Sequence, residues 1–392
     1  MPWGIDFNEQ TGTFKGIPDE VGEYIVPVKV ETNYGSDQKD VKIVIEPPYC
    51  KVKAIGTKAK AWSGGATPDE YGFYDLPMPP SNQLVSLRFG FGAKTGNGWY
   101  ICSGSPLHVG YKENELDTSL PVKYPVDNIL EISSGSKTDG TGAYTTFFLY
   151  RTSDDVVHVI TCAVSNGVPL QGNIGNFTLS EKGLKLGKTI GYFAQGIAAV
   201  KTDGTITSIL RGGGLGFFTP KIDGITIDCT KTKTIFADGP HRGVFLTIDG
   251  GIYTFNPATS GHTYRRIATP VDETNIKDIF SINIIDDNNP LNLFMSTWDE
   301  ELYAMTNSYN YANYGLTEAT GSYEFKKVGA YDVKKIVPGT FMLTTDGRLY
   351  HTGAAVSGIT SKHTLFTQIF PEYNFQDIAY SIDKTLIVTV KE

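Results

Sequence analysis

The residues best suited to contact a ligand lie in one short segment, "TNSYNYANYG", at positions 306–315. Tyr309, Tyr311 and Tyr314 alternate there with asparagines. Rigid aromatic rings stack on ligands, and side-chain amides supply adaptable hydrogen bonds, a mixture typical of binding loops. The segment predicts either a contact surface or a connecting loop whose tyrosines pack inside the fold.

The same reasoning selects aromatic residues outside this segment. Large aromatic side chains stack on sugar rings or fill pockets of a protein partner, and they supply much of the binding energy at such surfaces. We expect some of the tryptophans to pack between structural repeats instead. The full set of candidate ligand-binding residues is Tyr309, Tyr311, Tyr314, Trp298, Trp62, Tyr71 and Tyr74.

Residues that catalyse reactions or bind metals show no recognisable spacing. The six histidines form no HxxH or HExxH pattern, and no GxSxG motif is present. His158 and His351 fall on strand-like segments, where a structural role is the simpler interpretation. We therefore predict no enzymatic activity, no cofactor and no metal. Paired carboxylates need only spatial proximity, so the sequence leaves them open.

Composition predicts an all-β fold. Of the 392 residues, 40% are hydrophobic, 12% are aromatic and 43 are glycine, which favours short strands joined by glycine-rich turns. The net charge is −8 and no basic run appears, which argues against nucleic-acid binding. No apolar stretch approaches the roughly 20 residues of a membrane span, and "MPWGIDFNEQ" lacks the pattern of a secretory signal. The four scattered cysteines predict free thiols in the core.

Residues 1–46 form a separate strand-rich region. Gly12, Thr13, Gly16 and Pro18 precede a Gly-x-Tyr-x-Val-x-Val run that begins at Gly22. This region resembles the putative-Ig domains of bacterial and phage proteins. The resemblance implies half of an Ig-like β-sandwich, because a complete sandwich has about seven strands. We expect a longer polypeptide or another protein to supply the missing strands, with residues 47–50 as a linker.

A strand–turn–strand unit recurs along residues 51–392. Its turns centre on aspartates spaced by roughly 45–50 residues, the period of a β-propeller blade. The final unit, "TLIVTVKE", stops before its turn, and its missing half is the strand around Ala54. A ring closed in this way hides its first and last edges, and the turns predict about seven blades. The turn residues are Asp154, Asp203, Asp249, Asp299 and Asp346.

The repeats resemble those of RCC1-type propellers. Their strand pairs share the Asp-Gly turn, and the loop after "YAM" matches the family's inter-blade pattern at Asn307, Gly315 and Leu316. The resemblance implies a seven-bladed RCC1-like propeller with split-blade closure. It also implies that Asn307 and Gly315 are scaffold residues.

Together the two resemblances imply a non-enzymatic binding or structural module. The preferred hypothesis is a bacteriophage virion component of the tail-fibre or receptor-binding type, which docks through its Ig-like half and recognises a host surface glycan or protein. The alternative is a bacterial secreted or cell-surface propeller that binds a protein partner, with inhibition of that partner as one form of this hypothesis. A third hypothesis, a nucleotide-exchange factor for a small GTPase, fits the Ig-like region poorly.

Overall fold

The computed structural model describes two compact units, Met1–Tyr49 and Cys50–Glu392. The division falls within the expected linker. The described residues are 5–8, 11–16, 22–87, 89–111, 115–138, 144–154, 156–165, 168–180, 185–186, 199–200, 205–209, 215–218, 221–222, 225–238, 242–256, 263–283, 292–306, 314–318, 320, 323–356 and 358–391.

The first unit consists of two hairpins. Strands β1 (Ile5–Asn8) and β2 (Thr13–Gly16) form one, and β3 (Gly22–Thr32) and β4 (Gly35–Ile45) form the other. Side chains along β3 alternate between half-buried and exposed, as expected where a sheet has one apolar face. Two two-stranded sheets do not establish a sandwich, so the Ig-like assignment of this unit stays a prediction.

The second unit is built from four-stranded antiparallel sheets, of which the described residues form seven. It begins with β5 (Lys51–Gly56), helix α1 (Ala59–Trp62) and β6 (Tyr74–Asp75). Sheet 1 contains β7 (Ser81–Leu87), β8 (Gly90–Thr95), β9 (Gly98–Ser103) and β10 (Val122–Lys123); sheet 2 contains β11 (Ile129–Thr138), β12 (Tyr144–Thr152), β13 (Val156–Ser165) and β14 (Val168–Ser180); sheet 3 contains β15 (Lys185–Leu186), β16 (Ala199–Val200), β17 (Ile206–Ile209) and β18 (Leu215–Phe218).

A small hairpin separates sheet 3 from the rest of the unit. It pairs β19 (Lys221–Ile222) with β20 (Ile225–Thr226). Sheet 4 contains β21 (Thr232–Asp238), β22 (Arg242–Thr247), β23 (Ile252–Asn256) and β24 (Thr263–Ile267); sheet 5 contains β25 (Ile276–Asn283), β26 (Asn292–Thr297), β27 (Glu301–Met305) and β28 (Lys326–Ala330); sheet 6 contains β29 (Val333–Val337), β30 (Phe341–Thr344), β31 (Leu349–Gly353) and β32 (His363–Ile369). Short 3₁₀ turns span Pro106–Val109, Cys229–Lys231 and Glu273–Asn275.

The remaining sheet joins the two ends of the unit, and we call it the closing sheet. Strands β33 (Phe375–Ser381) and β34 (Thr385–Val390) continue into β5 and β6, in the order β33-β34-β5-β6. Six residue pairs join β34 to β5, from Thr385–Gly56 to Val390–Lys51. The predicted pairing of the last strand with the strand around Ala54 is therefore confirmed.

The first strand of each sheet lies innermost. First strands of neighbouring sheets contact one another, from β33 to β7, β7 to β11, β21 to β25, β25 to β29 and β29 to β33. Four-stranded sheets that form a ring with their first strands on the inside make a β-propeller. Here the two ends of the second unit pair within one of these sheets. The all-β propeller predicted from the repeat is the observed fold.

The core lies between sheets rather than within any one of them. Each of the hydrophobic clusters draws residues from two neighbouring sheets; one combines Phe280 and Phe294 of sheet 5 with Met342 and Phe366 of sheet 6. Burying such a side chain contributes roughly 1.5–3 kcal/mol. No sheet can bury its apolar faces without its neighbours. The stability of each sheet therefore depends on the sheets beside it. All four cysteines are buried in this interior, as predicted.

A β-bulge opens the first strand of every four-stranded sheet for which at least three residues of that strand are described. The pairing register shifts between the first and third residues of β7, β11, β21, β25, β29 and β33. A bulge leaves one residue outside the ladder and re-aims its side chain. The bulged residues are Asn82, Leu130, Lys233, Lys277, Lys334 and Gln376.

Asp377, next to one such bulge, connects three sheets. Its carboxylate accepts hydrogen bonds from the Leu84 backbone N–H of sheet 1 (2.6 Å) and from the Lys335 ammonium of sheet 6 (2.8 Å). Lys335 also donates to the Leu84 carbonyl oxygen at 2.7 Å. Only 8% of Asp377 is exposed, so these bonds form in a poorly solvated site. They connect the closing sheet to both of its neighbours.

None of the helices in the described residues is long and apolar enough to cross a membrane.

Replacing Asp377 with alanine should lower the free energy of unfolding by about 1–3 kcal/mol, because a buried N–H and an ammonium lose their acceptor. Asp278 occupies the same position in sheet 5, is half-buried, and accepts from Thr234 at 2.7 Å. The matched variant Asp278→Ala should cost less, about 1 kcal/mol. Urea unfolding measures both. Equal losses would show that Asp377 has no special role in closure.

Candidate functional site

The hairpin turns between the second and third strands share one local design. A threonine ends the second strand, and its hydroxyl donates to the backbone carbonyl four residues on, as in Thr247–Gly251 (3.1 Å) and Thr344–Arg348 (3.0 Å). The same hydroxyl bonds the turn aspartate in Thr344–Asp346 (2.6 Å). These bonds satisfy polar groups that would otherwise need water. The predicted turns at Asp154, Asp249, Asp299 and Asp346 are confirmed; Asp203 lies outside the described residues.

In sheets 2, 4, 5 and 6 a second hydrogen bond fixes the turn to the start of the first strand. The residue after the threonine donates its N–H to the carbonyl oxygen of the residue that precedes that strand, as in Ile248 to Lys231 (2.8 Å) and Trp298 to Asn275 (2.9 Å). Because antiparallel strands alternate in direction, these turns and the bulges lie at one end of the propeller. We call this end the turn face.

Trp298 projects from the turn face. It follows Thr297 in the turn of sheet 5, and 61% of its surface is exposed. The Lys233 ammonium lies 5.2 Å from its ring centroid and the Lys277 ammonium 5.8 Å from it. Each such cation–π contact contributes about 0.5–1 kcal/mol at an exposed site. The bulges of sheets 4 and 5 therefore hold the indole in place without burying it.

The lysines are themselves positioned by neighbouring groups. Lys233 donates to the Lys277 carbonyl oxygen. Lys277 forms an ion pair with Asp332 at 2.6 Å, which links sheet 5 to the start of sheet 6. Burial opposes the charge on Asp332, but bonds from Lys277 and Thr345 outweigh it and hold the pKa of that carboxyl below its usual value.

We define the Trp298 patch as Trp298, Lys233, Lys277, Ile248 and Asp299. Ile248 holds the matching turn position in sheet 4 and is 66% exposed. Asp299 accepts a hydrogen bond from the Asn275 amide at 2.8 Å. The patch offers an aromatic ring, an aliphatic side chain and charges of both signs. In the described residues, no three His, Cys, Asp or Glu side chains cluster as metal ligands would.

Two residues predicted to contact a ligand are instead part of the core. Trp62 is 3% exposed and lies 5.6 Å from Phe91, between the closing sheet and sheet 1. Tyr314 is also 3% exposed and stacks on Phe294 at 5.3 Å, between sheets 5 and 6. Both fill space where sheets diverge, so neither is available to a ligand in this structure. This corrects the surface assignment and agrees with the packing alternative.

Gly315 confirms the scaffold interpretation of the same loop. Its φ angle is +69°, and an added Cβ would lie 2.9 Å from Val328 and 3.1 Å from Phe366. Only glycine adopts this conformation there without strain. Asn307, Tyr309 and Tyr311 lie outside the described residues.

Tyr74 lies in β6 of the closing sheet and Tyr71 in the turn that precedes it, on a different part of the ring from Trp298. Tyr71 is 36% exposed and its ring meets Tyr373 edge-on at 5.3 Å. Tyr74 is half-buried and packs against the cluster that contains Trp62. Asp69 organises this loop by accepting bonds from Lys53 (2.8 Å) and Tyr373 (2.7 Å). Those of the predicted aromatic residues that the structure describes therefore do not come together at one site.

The two lysines and Ile248 were not predicted from the sequence, because only aromatic side chains suggested a contact surface there. The signal was present, since a lysine follows the first residue of three strands in "TKTIF", "IKDIF" and "VKKIV". Each of these lysines occupies a bulge.

Alanine variants of Trp298 and Trp62 should show the difference in stability between an exposed and a core tryptophan. Trp298→Ala should lower the free energy of unfolding by less than about 1 kcal/mol, because only exposed cation–π contacts are lost. Trp62→Ala should lower it by about 3–5 kcal/mol, since a large cavity remains. Chemical denaturation of both variants measures the difference. A large loss for Trp298→Ala would mean that its indole stabilises the fold.

Comparisons with known proteins identify the fold. No family model and no curated protein matches this sequence. Among solved structures, Prp20p from Saccharomyces cerevisiae matches with a TM-score of 0.56 and 12% identity over 88% of this chain and 92% of that one. Human WBSCR16 matches with a TM-score of 0.57 and 11% identity over 88% of this chain and all of the other. The chain therefore has the fold of RCC1-family propellers.

Proposed function

We propose that this protein is a non-enzymatic binding module that contacts a protein partner through the Trp298 patch. The observation that supports this most directly is the exposure of Trp298, whose indole the lysines of two sheets hold at the turn face. A tryptophan that projects from the fold contributes little to stability. Tryptophans are enriched among the few residues that dominate binding energies.

The surroundings of Trp298 favour a binding role. The turn backbone is fixed by hydrogen bonds, so a partner would not have to order it. The indole is already oriented by Lys233 and Lys277, which reduces the entropy lost on association. Charges of both signs beside it can pair with a polar rim of a protein interface.

Fold similarity gives general support only. Prp20p has the same fold, and its binding to Gsp1p and histones has been described. That relation is an analogy of fold, because propellers present many unrelated binding sites on one scaffold.

A more specific proposal concerns the number of blades, the first unit and the larger assembly to which the protein belongs. We infer that each four-stranded sheet is one blade of a seven-bladed ring, and that the first unit is part of an Ig-like sandwich. On this proposal the first unit docks onto a bacteriophage virion and the propeller faces the host surface. The resemblance of residues 1–46 to phage-borne domains supports it. A secreted or cell-surface propeller that binds a protein remains the second candidate.

Trp298→Ala should weaken binding to intact cells of the strain in whose cultures the protein is found. A loss of about 2 kcal/mol, close to thirtyfold in affinity, is typical of a dominant interface tryptophan. Labelled protein in a cell-binding titration measures it. The matched control is Leu365→Ala, which removes a 54% exposed apolar side chain from β32 and should bind as the native protein does. Equal binding by all three proteins would contradict the proposed site.

Sedimentation of phage particles tests the proposed location separately. Antibody against the chain should detect it in density-purified virions. Its presence only in culture supernatant or in cytosol would exclude the virion proposal and leave the binding proposal standing.

A further inference from the structure

His351 is a buried imidazole with few polar neighbours. It lies in β31 with no exposed surface. Its ring is 4.9 Å from Phe341 and 5.5 Å from the ring of His363 in β32. Among the described residues, its Nδ1 atom has no hydrogen-bond partner of normal geometry. A buried polar atom of this kind needs an explanation, because most are satisfied.

A turn of the following loop sits on the other ring nitrogen. The Thr360 hydroxyl lies 3.5 Å from Nε2 of His351, and it also accepts from the Val356 N–H at 3.3 Å. The N–H groups of Ile359 and Thr360 both donate to the Val356 carbonyl oxygen at 2.9 Å. We call Val356 and Gly358–Thr360 the latch turn.

The latch turn packs against the place where the two chain ends pair. Val356 is 8% exposed and, with Ile359, joins the cluster that contains Ile55 and Leu386. An added Cβ on Gly56 would lie 3.1 Å from Ile359 and 2.3 Å from the Lys384 carbonyl oxygen. The latch turn therefore covers the end of the β34–β5 pairing.

Charge on His351 is incompatible with this arrangement. Burial, helped by the nearby His363 and partly offset by the Gly339 carbonyl, lowers the pKa of His351 to about 4. His363 faces it from β32, and Tyr380 from β33 contacts Phe341. In the described part of the chain, His351 forms no ion pair or hydrogen bond with a carboxylate. The charged groups on the flanking turns are Lys362, Asp383 and Lys384.

Acid destabilises the closed fold around His351. The pKa of His351 in the closed fold is below the ordinary value of 6.5, so an open form binds the proton first. The stabilisation from neutral His351 is complete above pH 6.5 and is lost as the pH falls toward 4. Acid therefore favours an open form in which the His351 imidazole is exposed to water.

We propose that His351 and the latch turn form an acid-sensitive device, in which protonation of the buried imidazole lifts the turn and exposes the pairing between the two chain ends. The imidazole of His351 can reach water most directly if the latch turn, whose Thr360 contacts Nε2, moves away. Residues of the closing sheet would then lose Val356 and Ile359 as packing partners. The inference is independent of the proposed binding function.

Hydrogen exchange detected by mass spectrometry tests the proposal. At pH 5 an open form with a pKa of 6.5 is protonated about 30 to 1, while the closed form stays mostly neutral. Protection of peptides spanning 354–362, corrected for the intrinsic exchange rate, should fall roughly 30-fold between pH 7.5 and pH 5. Peptides from β26 and β27 provide the internal reference.

Variants identify the responsible group. His351→Phe keeps a ring of similar size without a proton acceptor, so the difference between the latch peptides and the reference should disappear. His351→Gln serves the same purpose if the phenylalanine variant does not fold. The matched control His158→Gln alters a half-buried histidine of sheet 2 and should retain the native pH response. The proposal is overturned if the His351 variants keep that response, or if latch and reference peptides respond alike in the native protein.

Discussion

Closure of the ring by the pairing of β34 with β5 is the constraint on which the second unit depends. Six residue pairs join strands that are more than 300 positions apart in the chain. Without them the closing sheet would divide into two two-stranded halves, β33–β34 and β5–β6, each with an unpaired edge that could template aggregation. Because the core lies between sheets, an open ring would also expose the apolar surfaces on both sides of the gap. Loss of the backbone pairing would therefore also disrupt the side-chain packing between the sheets.

The bulge and the threonine turn explain how a structural repeat produces a surface. The bulge directs one side chain of each first strand out of the ladder, and the turn fixes the neighbouring hairpin beside it. In sheets 4 and 5 the bulged residues are lysines, and the turn residues are Ile248 and Trp298. In sheet 1 the same bulge holds Asn82, which is 7% exposed. The repeat thus places a bulge residue and a turn residue at the same end of each of these sheets. The type of side chain at these positions decides which sheets can contact a partner.

Sequence reasoning succeeded where a pattern expresses a local rule. The turn aspartates and the split blade follow from periodicity and from the cost of unpaired edges, and both are observed. It could not rank the aromatic residues, because tryptophan suits the core and a binding surface equally well. Neighbouring sheets cover Trp62 and leave Trp298 exposed, and the residue type does not reveal this difference. Tyr314 lies in a polar loop, yet it returns to fill the space between two sheets.

The two ends of the propeller have different physical characters, and this bears on how a single ring could both bind and respond. At the turn face, short hairpins are held by hydrogen bonds to the adjacent first strand, so a partner would meet a preformed surface. The loops that join third and fourth strands lie at the opposite end, since successive strands alternate in direction. There the latch turn rests on a neutral imidazole and on apolar contacts with the closing sheet. A change at that end can loosen closure without altering the turns directly, so acid would affect binding only by weakening the ring that positions Trp298.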